Sequence, residues 1–325
     1  MEHRLCAFTR GGQLMLCLVY PGQGAQTPGF LHRLPEHSAV ASTIEEASDT
    51  LSLDVAGLDS SEALQSSVAV QISLVVAGVA IARRLAESGI EAQAHAGLSV
   101  GAYPAAVGCG AIAFADALRM VKMRAELMER AYPSGYGLSA IEGLAEAQVE
   151  ALIDPNAEDP SARVYVANVN APRQIVVAGS DAALDAFNER ATAAGAHRAK
   201  RLAVSVPSHC ELLSEASEKL IDHAAGIPVQ TPKQLYIGNR RARALYRGED
   251  IREDLATNMC HAVRWFDALT ALIERGATLL VEAPPGRVST DIVQAAYPDV
   301  AVLAASSFAN DRLVEFVQRR MRDRV

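Results

Sequence analysis

The chain has 325 residues, and at that size a fold can bury about three-quarters of its unfolded surface without staples. Half of the residues are hydrophobic (50%), 21% are charged and the net charge is −8, which excludes a disordered chain and a membrane bundle and gives no general affinity for nucleic acid. Cys6, Cys17, Cys109, Cys210 and Cys260 are odd in number, scattered and without a CxxC pair, so neither a disulfide framework nor a metal site is expected, and a reducing, cytoplasmic setting fits.

Residues 1–13 are mixed and polar and read as a loose tail. Residues 14–20 form a short apolar run closed by Pro21-Gly22, the pattern of a buried strand and too short and wrongly flanked for a membrane span or signal peptide. Residues 68–86 are apolar on nearly every side, as a helix at the heart of the protein is. His95-Ala96-Gly97 leads into a turn at Ser99, and residues 115–131 read as a helix with Asp116 near its start and Pro133 beyond its end. Between 134 and 204 the pattern changes to strand 137–141, helix 144–153, strands 164–169 and 174–179, helix 182–194 and strand 199–204. This β-α-β-β-α-β order is ferredoxin-like. The expected fold is therefore α/β, with a hydrolase-like large subdomain (residues 14–133 and 205–325) around a parallel sheet and an inserted ferredoxin-like small subdomain (134–204). The chain returns through helix 211–225, strand 235–238, helices 251–259 and 266–275, and strand 278–282.

The sharpest chemical signal is Gly97-Leu98-Ser99-Val100-Gly101. Glycines on either side of a serine permit a tight strand-to-helix turn that presents the hydroxyl, and the helix start offers amides to developing negative charge. Ser99 is the candidate nucleophile, against the plainer reading of a glycine-rich turn. A serine needs a base. Of the eight histidines, His3, His32, His37, His197 and His223 lie in polar or charged surroundings, and His95 sits on the strand before the turn as a packing or orienting residue. His209 ends the apolar strand Ala203-Val-Ser-Val-Pro-Ser-His209 at the subdomain boundary, where its ring would project into the cleft. Pro21-Gly-Gln-Gly-Ala-Gln26 allows close backbone approach to a ligand but lacks the lysine and spacing of a P-loop. Arg124, in helix 115–131, is a natural partner for a carboxylate, although a surface ion pair is the ordinary role of a helical arginine.

Together these residues resemble the malonyl-CoA:acyl carrier protein transacylase family, from about residue 14 to 292. The family's PGQG(S/A)Q matches Pro21 to Gln26, GHSxG matches Gly97 to Gly101, VxxRxxxM matches Val121 to Met128, and VPSH matches Val206 to His209. Its PV(Q/R)W matches Ala262-Val-Arg-Trp265, and its ExxPG matches Glu282-Ala-Pro-Pro-Gly286. The resemblance implies an S-malonyltransferase with a Ser99–His209 dyad working by ping-pong, backbone amides of Gln23 and Val100 as oxyanion hole, and Arg124 on the malonyl carboxylate. It further implies Asn168, Asn170 and Gln71 as acyl or pantetheine contacts, and a main-chain carbonyl, matched to Arg264, that orients His209. No bound cofactor or metal is implied; malonyl-CoA is the substrate and an acyl carrier protein the partner, with no nucleic acid or membrane. Leu98 stands where the family usually has histidine, putting pocket polarity in question. Ala262 replaces a proline and would loosen the loop that carries the Arg264 carbonyl.

Residues 58–64, 67–72, 251–258 and 282–286 are similar to the epsilon (transacylase) subunit of malonate decarboxylase, which implies a carrier bearing a dephospho-CoA-type arm and the other decarboxylase subunits as partners. The fatty-acid-synthesis transacylase is the alternative. A serine hydrolase is disfavoured, because its acidic third member would fall on Asp154, Asp159 or Asp181, all inside the inserted subdomain. An inactive carrier-binding subunit is disfavoured by the joint presence of Ser99, His209, Arg124 and the Gln23 loop. Arg198, Lys200 and Arg201, or Arg240, Arg241 and Arg243, could form a carrier-docking face; Arg319, Arg320, Arg322 and Arg324 read as a solvated face.

Overall fold

The computed structural model describes residues 15–154, 159–308 and 312–322. The tail expected at residues 1–13, with Cys6 and His3, and Arg324 lie outside the described residues. In chain order the elements are β1 (Leu16–Tyr20), α1 (Ser38–Leu51), α2 (Ser67–Glu87), β2 (Ala94–Gly97), α3 (Ala102–Gly108), α4 (Phe114–Ala131), β3 (Tyr136–Glu142), α5 (Glu146–Ala151), β4 (Val164–Ala171), β5 (Gln174–Ser180), α6 (Asp181–Ala193) and β6 (Arg198–Arg201). They continue as α7 (Ser214–Ala224), β7 (Leu235–Ile237), β8 (Ala244–Leu245), α8 (Gly248–Thr257), α9 (Trp265–Glu274), β9 (Leu279–Glu282), α10 (Val288–Ala296), β10 (Ala301–Ala304) and α11 (Arg312–Arg322).

The main sheet runs β10-β9-β1-β2-β7-β8 and is parallel except for the short edge strand β8. β1 pairs with β2 on one side and β9 on the other, and a strand covered on both faces must be apolar throughout, as Leu-Cys-Leu-Val-Tyr is. Its side chains alternate between two cores. Leu16, Leu18 and Tyr20 join residues of α1, α2, α3, α4, α7 and α8, while Cys17 and Val19 join those of α9 and α10 on the opposite face. α2 is long and apolar enough to span a bilayer, yet 83% of its most apolar window is buried inside the protein.

The second sheet is antiparallel, in the order β4-β5-β3-β6, and α5 and α6 cover it. Val263 stitches it to the main body: its N–H donates to Ala167 O and its carbonyl accepts from Val169 N, both at 2.9 Å. That bridge also holds the segment after Ala262 in place without a proline.

The expected strand 199–204 ends early. β6 is an edge strand paired only with β3. After Leu202 N bonds Leu138 O at 2.9 Å the chain leaves β3 and residues 202–209 are irregular, Pro207 having no N–H with which to resume a ladder before His209. His209 therefore lies on a loop, at φ 69°, and not at the end of a strand. The helices α1, α10 and α11 and the strands β8 and β10 add to the elements expected from sequence.

Candidate active site

Backbone sterics build the nucleophile turn. β2 runs into Leu98 and then Ser99, which sits at φ 55° and opens a one-turn 3-10 helix that continues into α3. A Cβ on Gly97 would fall 1.9 Å from the Gly101 carbonyl carbon, and one on Gly101 would fall 2.4 Å from Tyr20 O. Both glycines are thus imposed by close approach, and the left-handed serine between them is a strained conformation that its surroundings must hold. Two asparagines do so. Asn239 Oδ1 accepts from Ser99 N at 2.8 Å, and Asn258 Nδ2 donates to Ser99 O at 3.3 Å.

The Ser99 hydroxyl donates to His209 Nε2 at 2.7 Å and accepts from Arg124 Nη2 at 3.2 Å. His209 Nδ1 donates to the Asn258 carbonyl at 2.7 Å, which fixes the tautomer with Nε2 as the acceptor. Burial, and then the Arg124 charge, push the imidazole down to about 3, against the pull of main-chain acceptors. The ring is therefore neutral near pH 7 and free to take a proton from Ser99.

The orienting carbonyl thus belongs to Asn258 and not to Arg264. The Arg264 carbonyl caps α9 by accepting from Ala268 N at 3.0 Å, and its side chain pairs with Glu146 and Asp267. His261, passed over in the sequence, brings its amide to the same Asn258 carbonyl at 3.4 Å.

Arg124 is 1% exposed. Nη1 donates to Gln71 Oε1 at 2.5 Å and Nη2 also reaches Asn258 Oδ1 at 3.2 Å, but its Nε has no partner, and among the described residues no carboxylate pairs with it. Burial lowers its pKa from the ordinary value. A desolvated guanidinium without a counter-charge is costly and is suited to an anionic ligand. Gln71 acts on it from behind, fully buried in α2.

Ser99, His209 and Arg124 line one cavity of about 270 Å³ with Gln23, Leu98, Asn168, Asn170 and Met128. Gln23 and Gly24 come from the loop after β1, and Asn168 and Asn170 from β4 of the small subdomain, so the cavity lies between the two subdomains. Asn170 Oδ1 is buried without a partner. Leu98 gives the wall an apolar surface and packs close to Gly22. His95 is elsewhere: it bonds Tyr20 Oη at 3.0 Å and is held neutral by burial.

The chain matches the Acyl transferase domain over residues 17–324. It belongs to the acyl transferase family. It is 35% identical over 306 residues to the malonyl CoA-acyl carrier protein transacylase of Haemophilus influenzae, covering 92% of this chain and 97% of that one. It is 36% identical over 282 residues to the protein of the same name from Escherichia coli K12, covering 85% and 91%. Among solved structures, the malonyl CoA-acyl carrier protein transacylase of Coxiella burnetii superposes with a TM-score of 0.88 at 30% identity, covering 96% of this chain and 99% of that one. A malonyl-transacylase in complex with its type II polyketide acyl-carrier protein matches with a TM-score of 0.88 at 33% identity, covering 94% and 99%. The α/β fold with its separate small antiparallel sheet is the fold of these acyl transferases.

Proposed function

We propose that the protein is a malonyl-CoA:acyl carrier protein S-malonyltransferase. The observation that carries this reading is Arg124, a buried guanidinium without a carboxylate, 3.2 Å from the Ser99 hydroxyl. An acyl group that ends in a carboxylate would satisfy it while presenting its thioester to Ser99.

In this reading Ser99 Oγ attacks the thioester carbon as His209 Nε2 takes its proton. The oxyanion is received by the backbone amides of Gln23 and Val100; in the 3-10 turn the Ser99 amide is taken by Asn239 and the Gly101 amide by Leu98 O, leaving that of Val100. Each such donor lowers the barrier by about 3 to 4 kcal/mol. Collapse breaks the C–S bond, and CoA leaves with the proton from His209. The thiol of a carrier-borne arm then attacks the malonyl ester, gives its proton to His209, and Ser99 recovers it on leaving. No bound cofactor takes part.

The names of the relatives support the fatty-acid-type transacylase better than the epsilon subunit of malonate decarboxylase, for which the similarity of residues 58–64, 67–72, 251–258 and 282–286 remains the support. The acceptor separates the two. Intact mass after incubation with malonyl-CoA is expected to show one malonyl adduct on the wild type and none on Ser99→Ala. Chase with a holo acyl carrier protein of fatty-acid synthesis, and separately with the malonate decarboxylase carrier, assigns the subtype by which one discharges the adduct. Absence of an adduct, or its rapid hydrolysis without an acceptor, refutes the transferase reading.

A further inference from the structure

The acidic residue nearest to the nucleophile through a chain of hydrogen bonds is absent from the reaction outlined above. Asp254 on α8 is buried, and among the described residues it has no cation partner. Its Oδ2 accepts from Tyr236 Oη at 2.9 Å, and its Oδ1 accepts from Asn239 N at 2.9 Å. Asn239, 2% exposed, is thereby held at one end by a carboxylate and at the other, through its carbonyl, by Arg264 N at 3.1 Å. Its side-chain oxygen takes the Ser99 amide. The packing around the carboxylate is tight: a Cβ on Gly238 would come within 3.1 Å of Asp254 Oδ1. An uncompensated buried carboxylate is expensive, and burial raises its pKa.

We propose that Asn239, anchored by the Asp254–Tyr236 pair, is a positioning residue that holds Ser99 in its left-handed conformation, so that the hydroxyl meets His209 and the Val100 amide stays free. That Ser99 is the nucleophile rests on the function proposed above. Asn239 touches no substrate; it acts through the Ser99 backbone. A misplacement of about 1 Å at a reacting group can cost roughly a hundredfold in rate, without altering the contacts that bind the rest of the substrate.

The test measures single-turnover malonylation of Ser99 by intact mass, in parallel with inactivation by a fluorophosphonate, a serine-directed reagent without a malonyl group. Asn239→Ala is expected to slow both reactions by about a hundredfold while the KM for malonyl-CoA stays within about twofold. Tyr236→Phe, which keeps the ring and removes one donor, should slow both about fivefold, and it serves if Asn239→Ala does not fold. Asp254→Asn keeps an acceptor for the Asn239 amide and should retain activity that Asp254→Leu loses. Wild-type phosphonylation rates in Asn239→Ala or Tyr236→Phe, or a KM increase as large as the rate loss, would overturn the proposal. A wild-type protein that takes the phosphonate but not the malonyl group refutes the acyltransferase reading alone; the phosphonylation rates of the variants then still decide the positioning role.

Discussion

Replacing Arg124 by alanine separates the carboxylate-binding reading from a purely structural one. The guanidinium is fully buried and donates to Gln71, Ser99 and Asn258. Malonyl-CoA and acetyl-CoA share every reacting atom and differ in one carboxylate, so acetyl transfer loses only what those contacts contribute to positioning. Malonyl transfer additionally strands a desolvated carboxylate. Truncating one partner of a buried, hydrogen-bonded charge pair costs about 3 to 4 kcal/mol, or roughly 10²- to 10³-fold in kcat/KM. The ratio of kcat/KM for malonyl-CoA to that for acetyl-CoA should therefore collapse by that factor in Arg124→Ala. Removing the charge also relieves one of the two effects that depress His209, so acetyl transfer should fall less than the loss of three hydrogen bonds implies. The assay is initial-rate transfer from each thioester to the same holo carrier. If both substrates lose activity by the same factor, Arg124 is a structural group and the specificity argument is wrong.

Acid stability offers a second check. His209 and His95 are both held down to about 3 by burial, whereas unfolded histidine titrates near 6.5, so the unfolded chain binds more protons below that pH. Their contribution is intact above about pH 6.5 and is lost as pH falls toward 3, at about 2 kcal/mol for each by pH 5. Thermal unfolding from pH 7 to 5 should show this loss, with His209→Gln removing about half of it; a Tm independent of pH would refute it. The two basic clusters also differ. Arg198 pairs with Glu142, and Arg201 with Asp181 and Asp185, while Arg240, Arg241 and Arg243 are exposed, with no carboxylate within ion-pair distance among the described residues. Charge reversal at Arg241 and Arg243 should raise the carrier KM about tenfold and leave malonylation of Ser99 from malonyl-CoA unchanged; equal loss of both half-reactions would argue against docking there.

The elbow at Ser99 was legible because its requirement is steric and falls on glycine, a residue that sequence displays. The β-α-β-β-α-β order of the insert was legible because most of its elements have an apolar period of their own; β6, Arg-Ala-Lys-Arg, does not, and its bounds were the ones missed. The carbonyl that orients His209 left no such trace: every residue has a carbonyl, and only the turn after α8 decides that Asn258, six positions before Arg264, delivers it. Asn239 and Asp254 are single polar residues whose meaning comes from an approach between β7, α8 and β2. Arg124 gave a chemical type but not its burial, which the packing of α2 against α4 supplies. Residues 202–204 have the apolar composition of a strand, but the ladder with β3 stops at Leu202, and where a partner strand is left behind is not displayed by the sequence.

The burial of α2 has a consequence for biogenesis. Before it is covered, this segment offers any insertion machinery a stretch with the length and greasiness of a bilayer span. Part of its shelter is α4, which follows it in the chain, so a ribosome that has released α2 but not residue 131 exposes a segment that can be mistaken for a membrane anchor. The interval between those two points is about forty residues of synthesis, or a few seconds at ordinary elongation rates.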